Sequence, residues 1–193
     1  MDLLEQRDNI NIIRLYTKEE ALPYRTSFVG AYQSIFAEPP YSERFYPMEA
    51  EAIFASNLHT PENITLLAVN KESVVGFAFA VPLRSRQSIT SKLRGLLPIQ
   101  HTFYLAELGV LDLYRRKGIG RTLTQWRLNL IDKDSYNDVV LRTSVVKDSS
   151  YQMYRSMNFD DTGVYTEVSS RRIDGMVRTD RRLFLSRQLT QDS

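Results

Sequence analysis

The chain is predicted to be an α/β protein of the α+β kind, and three observations lead there. Apolar, β-branched runs alternate unevenly along the 193 residues with segments of helical periodicity. The apolar strand Leu105-Ala106-Glu107-Leu108-Gly109-Val110-Leu111 passes through a basic, glycine-punctuated turn directly into a helix. A composition of 42% hydrophobic and 25% charged residues suffices for one core, so residues 1–193 are predicted to form a single domain.

Taken in order, Ile10–Tyr16 is the first predicted strand. Thr17-Lys18-Glu19-Glu20 has the form of a capping box and starts a helix running to Ile35-Phe36. Pro39-Pro40-Tyr41-Ser42 breaks it, and Met48–Leu58 makes a second helix. Ile64–Val69 and Val74–Val81 form a hairpin across Asn70-Lys71-Glu72. After the turn-bearing strand, Ile119, Leu123, Trp126 and Leu130 line one helical face, and Arg121, Gln125, Arg127 and Asn129 mostly fall on the others. Trp126 is expected to anchor this helix on the sheet. Asp138–Val146 is the next strand, and Asp148-Ser149-Ser150 caps a short helix carrying Tyr151, Tyr154 and Met157. Gly163–Val168 and Arg182–Ser186 close the chain as strands, with Ser169–Arg182 expected as a solvated, arginine-rich loop.

The turn carries the chemistry. A helix start leaves backbone N–H groups unpartnered at the positive end of the helix dipole, which suits an anion. Gly118 and Gly120 remove Cβ where a phosphate would approach, and Arg115, Arg116, Lys117 and Arg121 surround the turn with positive charge. The run is not a Walker A motif, and Leu123 stands where a dinucleotide fingerprint needs glycine or alanine. What remains is Arg115-x-x-Gly118-x-Gly120 after an apolar strand, a pyrophosphate cradle; an ordinary charged strand-to-helix turn is the plain alternative.

That pattern resembles the acyl-CoA loop of the GNAT superfamily of N-acyltransferases. Ser150–Phe159 resembles the family's second motif, a helix of the type A-x-x-L-Y-x-x-x-G-F, with Asn158 in place of the glycine. Asparagine also enters the left-handed conformation that ends helices. The resemblance covers nearly the whole chain. It implies a central mixed, largely antiparallel sheet of six to seven strands flanked by about four helices, with a splayed strand pair for the cofactor. It also implies acetyl-CoA (coenzyme A) as cofactor, held by residues 108–121: the main chain of Leu108, Gly109 and Val110, and the turn Arg115, Arg116, Lys117, Gly118, Ile119, Gly120 and Arg121. The family's asparagine that touches the pantetheine arm aligns here with Lys147.

The activity implied is transfer of an acetyl group to a primary amine of a small molecule or peptide by direct attack in a ternary complex. Tyr154 aligns with the tyrosine that protonates the departing thiolate; a phenol, with an ordinary pKa of about 10, is protonated at neutral pH. A packing tyrosine is the alternative. Glu107 is the carboxylate on the central strand, yet relatives place their base at positions matching Ala106 or Tyr104. Since strand side chains alternate faces, Glu107 reaches the site only through a bulge, and pairing with an arginine is its competing role. Tyr104 has the right parity to line the acceptor site, and Tyr41 in the segment 39–46 is a second candidate for it. The long polar stretch 84–101 is expected to cap that site with 39–46, or to be a mobile insertion. His101 is only a candidate at a loop end.

Bulk properties bound the alternatives. Lys and Arg total 25 against 23 for Asp and Glu, a net charge of +2 that argues against a nucleic-acid binder. There is no cysteine, hence no disulfide scaffold, cysteine-ligated zinc or cysteinyl intermediate, and no metal site is expected. No apolar run approaches the roughly 18 residues of a membrane span, so a soluble, cytoplasmic protein without membrane contacts is expected. Dimers are frequent in the family, which leaves a homodimer open. Transfer of a longer acyl chain, a non-catalytic acyl-CoA sensor and a nucleotide-phosphate module are the competing functions.

Overall fold

The computed structural model describes residues 1–146 and 148–189. Eight strands form one sheet: β1 (Asp2–Arg7), β2 (Ile10–Leu15), β3 (Ile64–Asn70), β4 (Ser73–Pro82), β5 (Thr102–Val110), β6 (Asp138–Ser144), β7 (Asp160–Arg171) and β8 (Val177–Gln188). Their spatial order is β1-β2-β3-β4-β5-β6-β8-β7, and each neighbouring pair is antiparallel except β5 with β6. The helices are α1 (Lys18–Ala21), α2 (Arg25–Ala37), α3 (Pro47–His59), α4 (Gln87–Leu93), α5 (Ile119–Leu130) and α6 (Ser149–Arg155).

The strand beyond those expected is β1. It lies at the sheet edge with no buried residue, so it shows no apolar alternation to read. The predicted first helix is split: Thr17 caps α1 as expected, but Pro23 ends it in a 3₁₀ turn before α2 begins. The final strands are longer than expected, and much of the arginine-rich 169–182 segment is paired strand.

β3 and β4 are buried along nearly their whole length because helices cover both faces of the sheet. On one face, α5 and α6 pack on Leu66, Ala68, Ala78, Ala80, Phe103 and Leu105. On the other, α2 and α3 bring Phe28, Tyr32 and Phe54 against Phe77 and Phe79. Trp126 does anchor α5: it packs on the first core and its indole Nε1–H donates to Glu5 of β1 at 2.8 Å.

Candidate active site

The site begins where the parallel pair stops. β5 and β6 pair from Thr102↔Asp138 to Leu105↔Leu141 and no further. Beyond that point β5 stays with β4, through Glu107↔Phe79 to Val110↔Gly76, while β6 stays with β8 as far as Ser144↔Arg182. The strands therefore part, and a cavity of about 450 Å³ opens between them. Side chains from both faces of the sheet line it, among them Leu105, Leu108 and Tyr154 from one and Tyr104, Glu107 and Arg142 from the other.

Past the end of β5, the turn before α5 is wound through two left-handed residues, Arg116 (φ +61°) and Gly118 (φ +83°). Gly118 is the N-cap and offers no side chain to the helix amides. The first turn bond is Thr122 N–H to Gly118 O at 2.9 Å; among the described residues, the amides of 116–121 make no backbone hydrogen bond outside the helix. Gly120 is informative in another way. A Cβ there would meet only Met153 and Val110 at ordinary contact distances, so packing does not demand glycine, which costs about 1 kcal/mol in a helix. Open amides, an uncapped helix start and an otherwise unexplained glycine fit a diphosphate. Arg115 has a different task. Its guanidinium donates to Val110 O at 2.9 Å and pairs with Glu38 at 2.6 Å, bracing the turn, which leaves Arg116, Lys117 and Arg121 as the surrounding charge. At Gly109 packing demands glycine: a Cβ would lie 2.6 Å from the Phe77 ring.

Tyr154 stands at the floor of the cavity, on α6, whose N-cap Asp148 accepts from the amides of Ser150 and Tyr151 at 3.0 Å each. Asn158 closes the segment at φ +62°, the left-handed role expected of it. Burial raises the Tyr154 pKa, and the Arg127 guanidinium against its hydroxyl opposes the rise. The phenol is thus protonated at neutral pH.

Arg127 was expected off the apolar face of its helix, and the structure places it in the core instead, fully buried. It donates to Phe79 O at 3.2 Å, Glu107 O at 3.1 Å and Thr124 Oγ1 at 3.1 Å. The signal was present: 119, 123 and 127 share one helical face, so an arginine interrupts an apolar stripe.

The carbonyls it satisfies flank a β-bulge. Phe79 pairs with Glu107 and Ala80 with Leu105, so Ala106 has no partner on β4. The extra residue resets the alternation, and Glu107 faces the same side as Tyr104 and Phe79. The bulge that Glu107 required is there. Burial pushes its pKa up to about 7, against the opposing pull of Arg142. Tyr104 also lines the cavity, its own pKa raised by burial to about 12.

The acceptor end is built from distant pieces. Tyr41, Glu43, Arg44 and Phe45 of segment 39–46 line it, but 84–101 contributes no lining residue. That stretch folds into α4 and 3₁₀ turns, with Leu83, Ile89 and Leu93 packed on Val81, Tyr104 and Phe184. The β7–β8 hairpin takes the place expected of it. Its tip returns to the 39–46 segment through Arg44 N–H to Arg171 O (2.8 Å) and Ile173 N–H to Ser42 O (3.0 Å), while Arg182 pairs with Glu43 at 2.8 Å. His101 lies elsewhere, with Nδ1 3.0 Å from Ser135 O. Lys147 is outside the described residues. No cluster of metal-binding side chains occurs among the described residues, and no helix is long and apolar enough to cross a membrane.

A mixed sheet that opens between one parallel pair beside an uncapped helix start defines the GNAT class of folds. The family model described as "Acetyltransferase (GNAT) family" matches residues 28–159, and the chain belongs to that family. Among curated relatives, "N-acetyltransferase 8B" of Mus musculus is 38% identical over 61 residues, 32% of this chain and 26% of that protein. "N-acetyltransferase family 8 member 3" of Rattus norvegicus is 36% identical over 75 residues, 38% of this chain and 33% of that protein. The match thus spans a third or less of the length of these relatives. Solved structures are similar in fold. An N-acetyltransferase from Staphylococcus aureus Mu50 superposes with TM-score 0.65 at 17% identity, covering 93% of this chain and 99% of that one. The ribosomal-protein-S18-alanine N-acetyltransferase of Escherichia coli does so with 0.64 at 15%, covering 95% and 96%.

Proposed function

We propose that the protein transfers an acetyl group from acetyl-CoA to a primary amine of a small molecule or peptide. One observation carries this reading: the parting of β5 and β6 opens a cavity lined by Glu107 and Tyr154, and the same strand β5 runs on into the turn whose amides at 116–121 make no backbone hydrogen bond outside the helix. When bound, acetyl-CoA supplies an electrophilic thioester carbonyl and a thiol leaving group. The chain's own residues do the rest. The amides of 116–121, with Arg116, Lys117 and Arg121, hold the diphosphate at the helix start. The edge of β5 turned towards the cavity offers main-chain groups of Leu108–Val110 to an extended ligand. Glu107 takes a proton from the acceptor ammonium at its carboxylate; a pKa near 7 leaves it about half ionised at neutral pH, close to the optimum for a general base. Tyr154 holds a proton at its hydroxyl on the opposite side of the parted strands, where the leaving sulfur can receive it.

Thiol release measured against an amine panel, beside calorimetry with coenzyme A and ATP, tests the reading. Amine-dependent release and selective coenzyme A binding are expected. Coenzyme A binding without release on any amine would make the protein a sensor, and preference for ATP a nucleotide module; faster release from longer thioesters would reassign the acyl group.

A further inference from the structure

The acceptor end of the cavity carries charges that do not cancel. Three carboxylates line it, and two are already engaged: Glu43 by Arg182 at 2.8 Å, and Glu49 by the Tyr46 amide at 2.7 Å with Arg171 at 3.9 Å. Glu107 is the third, and no cation lies within ion-pair distance of it among the described residues. Of the four lining arginines, Arg182 and Arg171 are used in those same pairs. Arg44 and Arg142 are left over. Arg44 stacks on the Tyr46 ring. Arg142 makes no hydrogen bond and no ion pair among the described residues; half-buried, it acts on Glu107 only through its longer-range pull.

Its position narrows the meaning. Arg142 sits on β6 immediately after the last paired residue, Leu141, and Glu107 sits on β5 just after Leu105 and the bulge. Both side chains reach the acceptor face, from opposite banks of the opening. The cavity thus offers one carboxylate and, across from it, one planar cation with five N–H donors, neither held in a direct pair among the described residues; a guanidinium has the geometry that takes a carboxylate bidentately.

We infer that the acceptor is an amino acid or amino-acid conjugate, its ammonium directed to Glu107 and its carboxylate held by the Arg142 guanidinium. This rests on the acetyltransferase reading above. A polyamine fits poorly, because its second cation would meet Arg142 and Arg44 instead of a carboxylate. A peptide N-terminus lacks the nearby carboxylate altogether.

The test uses matched pairs, L-phenylalanine with 2-phenylethylamine and L-methionine with 3-(methylthio)propylamine, in the thiol-release assay at saturating acetyl-CoA. The amino acid of at least one pair is expected to be used with a kcat/KM at least about tenfold higher, chiefly through KM, as loss of a charge-assisted contact predicts. Arg142→Gln should shrink that ratio by at least roughly fivefold, and Arg142→Lys should restore part of it. Amine turnover with no preference for the amino acid overturns the inference and leaves the acetyltransferase reading intact. So does an unchanged ratio in Arg142→Gln with only a shifted pH midpoint, which makes Arg142 a tuner of Glu107. If no amine releases thiol, the acetyltransferase reading fails separately. Calorimetry of N-acetyl-L-phenylalanine and N-acetyl-2-phenylethylamine on the coenzyme A-saturated protein still decides about Arg142. Tighter binding of the acid, lost in Arg142→Gln, sustains the carboxylate site, and equal binding removes it.

Discussion

The turn before α5 and the cavity between β5 and β6 are made differently. The proposed cofactor end is one contiguous turn, 115–121, which offers main-chain amides. The acceptor end draws side chains from segment 39–46, β5, β6 and the β7–β8 hairpin, held by ion pairs such as Glu43 with Arg182. A main-chain site tolerates most side-chain changes except those that add bulk, whereas a side-chain site changes character with single substitutions. The cofactor end is therefore expected to be robust in chemistry and brittle in shape, and the acceptor end the reverse.

The largest expected effect comes from chemistry at the acceptor end. Glu107→Gln should lower kcat about 100- to 1,000-fold while coenzyme A affinity, read by calorimetry, changes little. Comparable losses in both would mean the two ends are not separable. Next, Gly120→Glu should weaken coenzyme A binding about 100-fold through bulk and charge at the helix start, and retained affinity would break the shape argument. Tyr154→Phe, at the floor between the two ends, should cost roughly tenfold or more in kcat with KM for the thioester near its original value.

Acidity separates the ends further. Since Glu107 accepts a proton only when ionised, kcat/KM for the amine should rise with pH and break near its pKa of about 7, a break absent from Glu107→Gln. Coenzyme A affinity has no such group in the turn and should not follow it. The same raised pKa has a stability consequence. The folded state keeps Glu107 protonated above the unfolded value of 4.5, so wild-type stability falls as pH rises from there through about 7. In thermal unfolding, Glu107→Gln should therefore gain stability relative to wild type near pH 8, by no more than about 3 kcal/mol, and gain almost none near pH 4. Equal Tm differences at both pH values would show that Glu107 is not desolvated.

This contrast also governs what could be read from the sequence. The turn was legible because its signal is local: an apolar strand, two glycines and a helical stripe within a score of residues. Tyr154 was legible for the same reason, sitting in one short capped helix. The acceptor end was legible only in part: segment 39–46, Tyr104 and a bulge-dependent Glu107 were expected there, but Arg142 and the β7–β8 hairpin were not, because they lie far away in the chain. The arginines between 169 and 182 look like a solvated run until Glu43 and Asp180 are found beside them. The 84–101 stretch looks like a lid because its apolar residues, Ile89 and Leu93, are too sparse to announce a packed helix. Arg127 was misplaced because charge suggests solvent, although its position in the stripe said otherwise.

The unpaired Ala106 turns arithmetic into chemistry. Were β5 regular, Ala106 would have its own partner on β4 and Glu107, two steps after Leu105, would share that residue's face; its carboxylate would then lie on the side of the sheet where α5 packs. One added residue in β4 opposite Ala106 would thus disarm the protein while leaving every titrating group in its sequence intact.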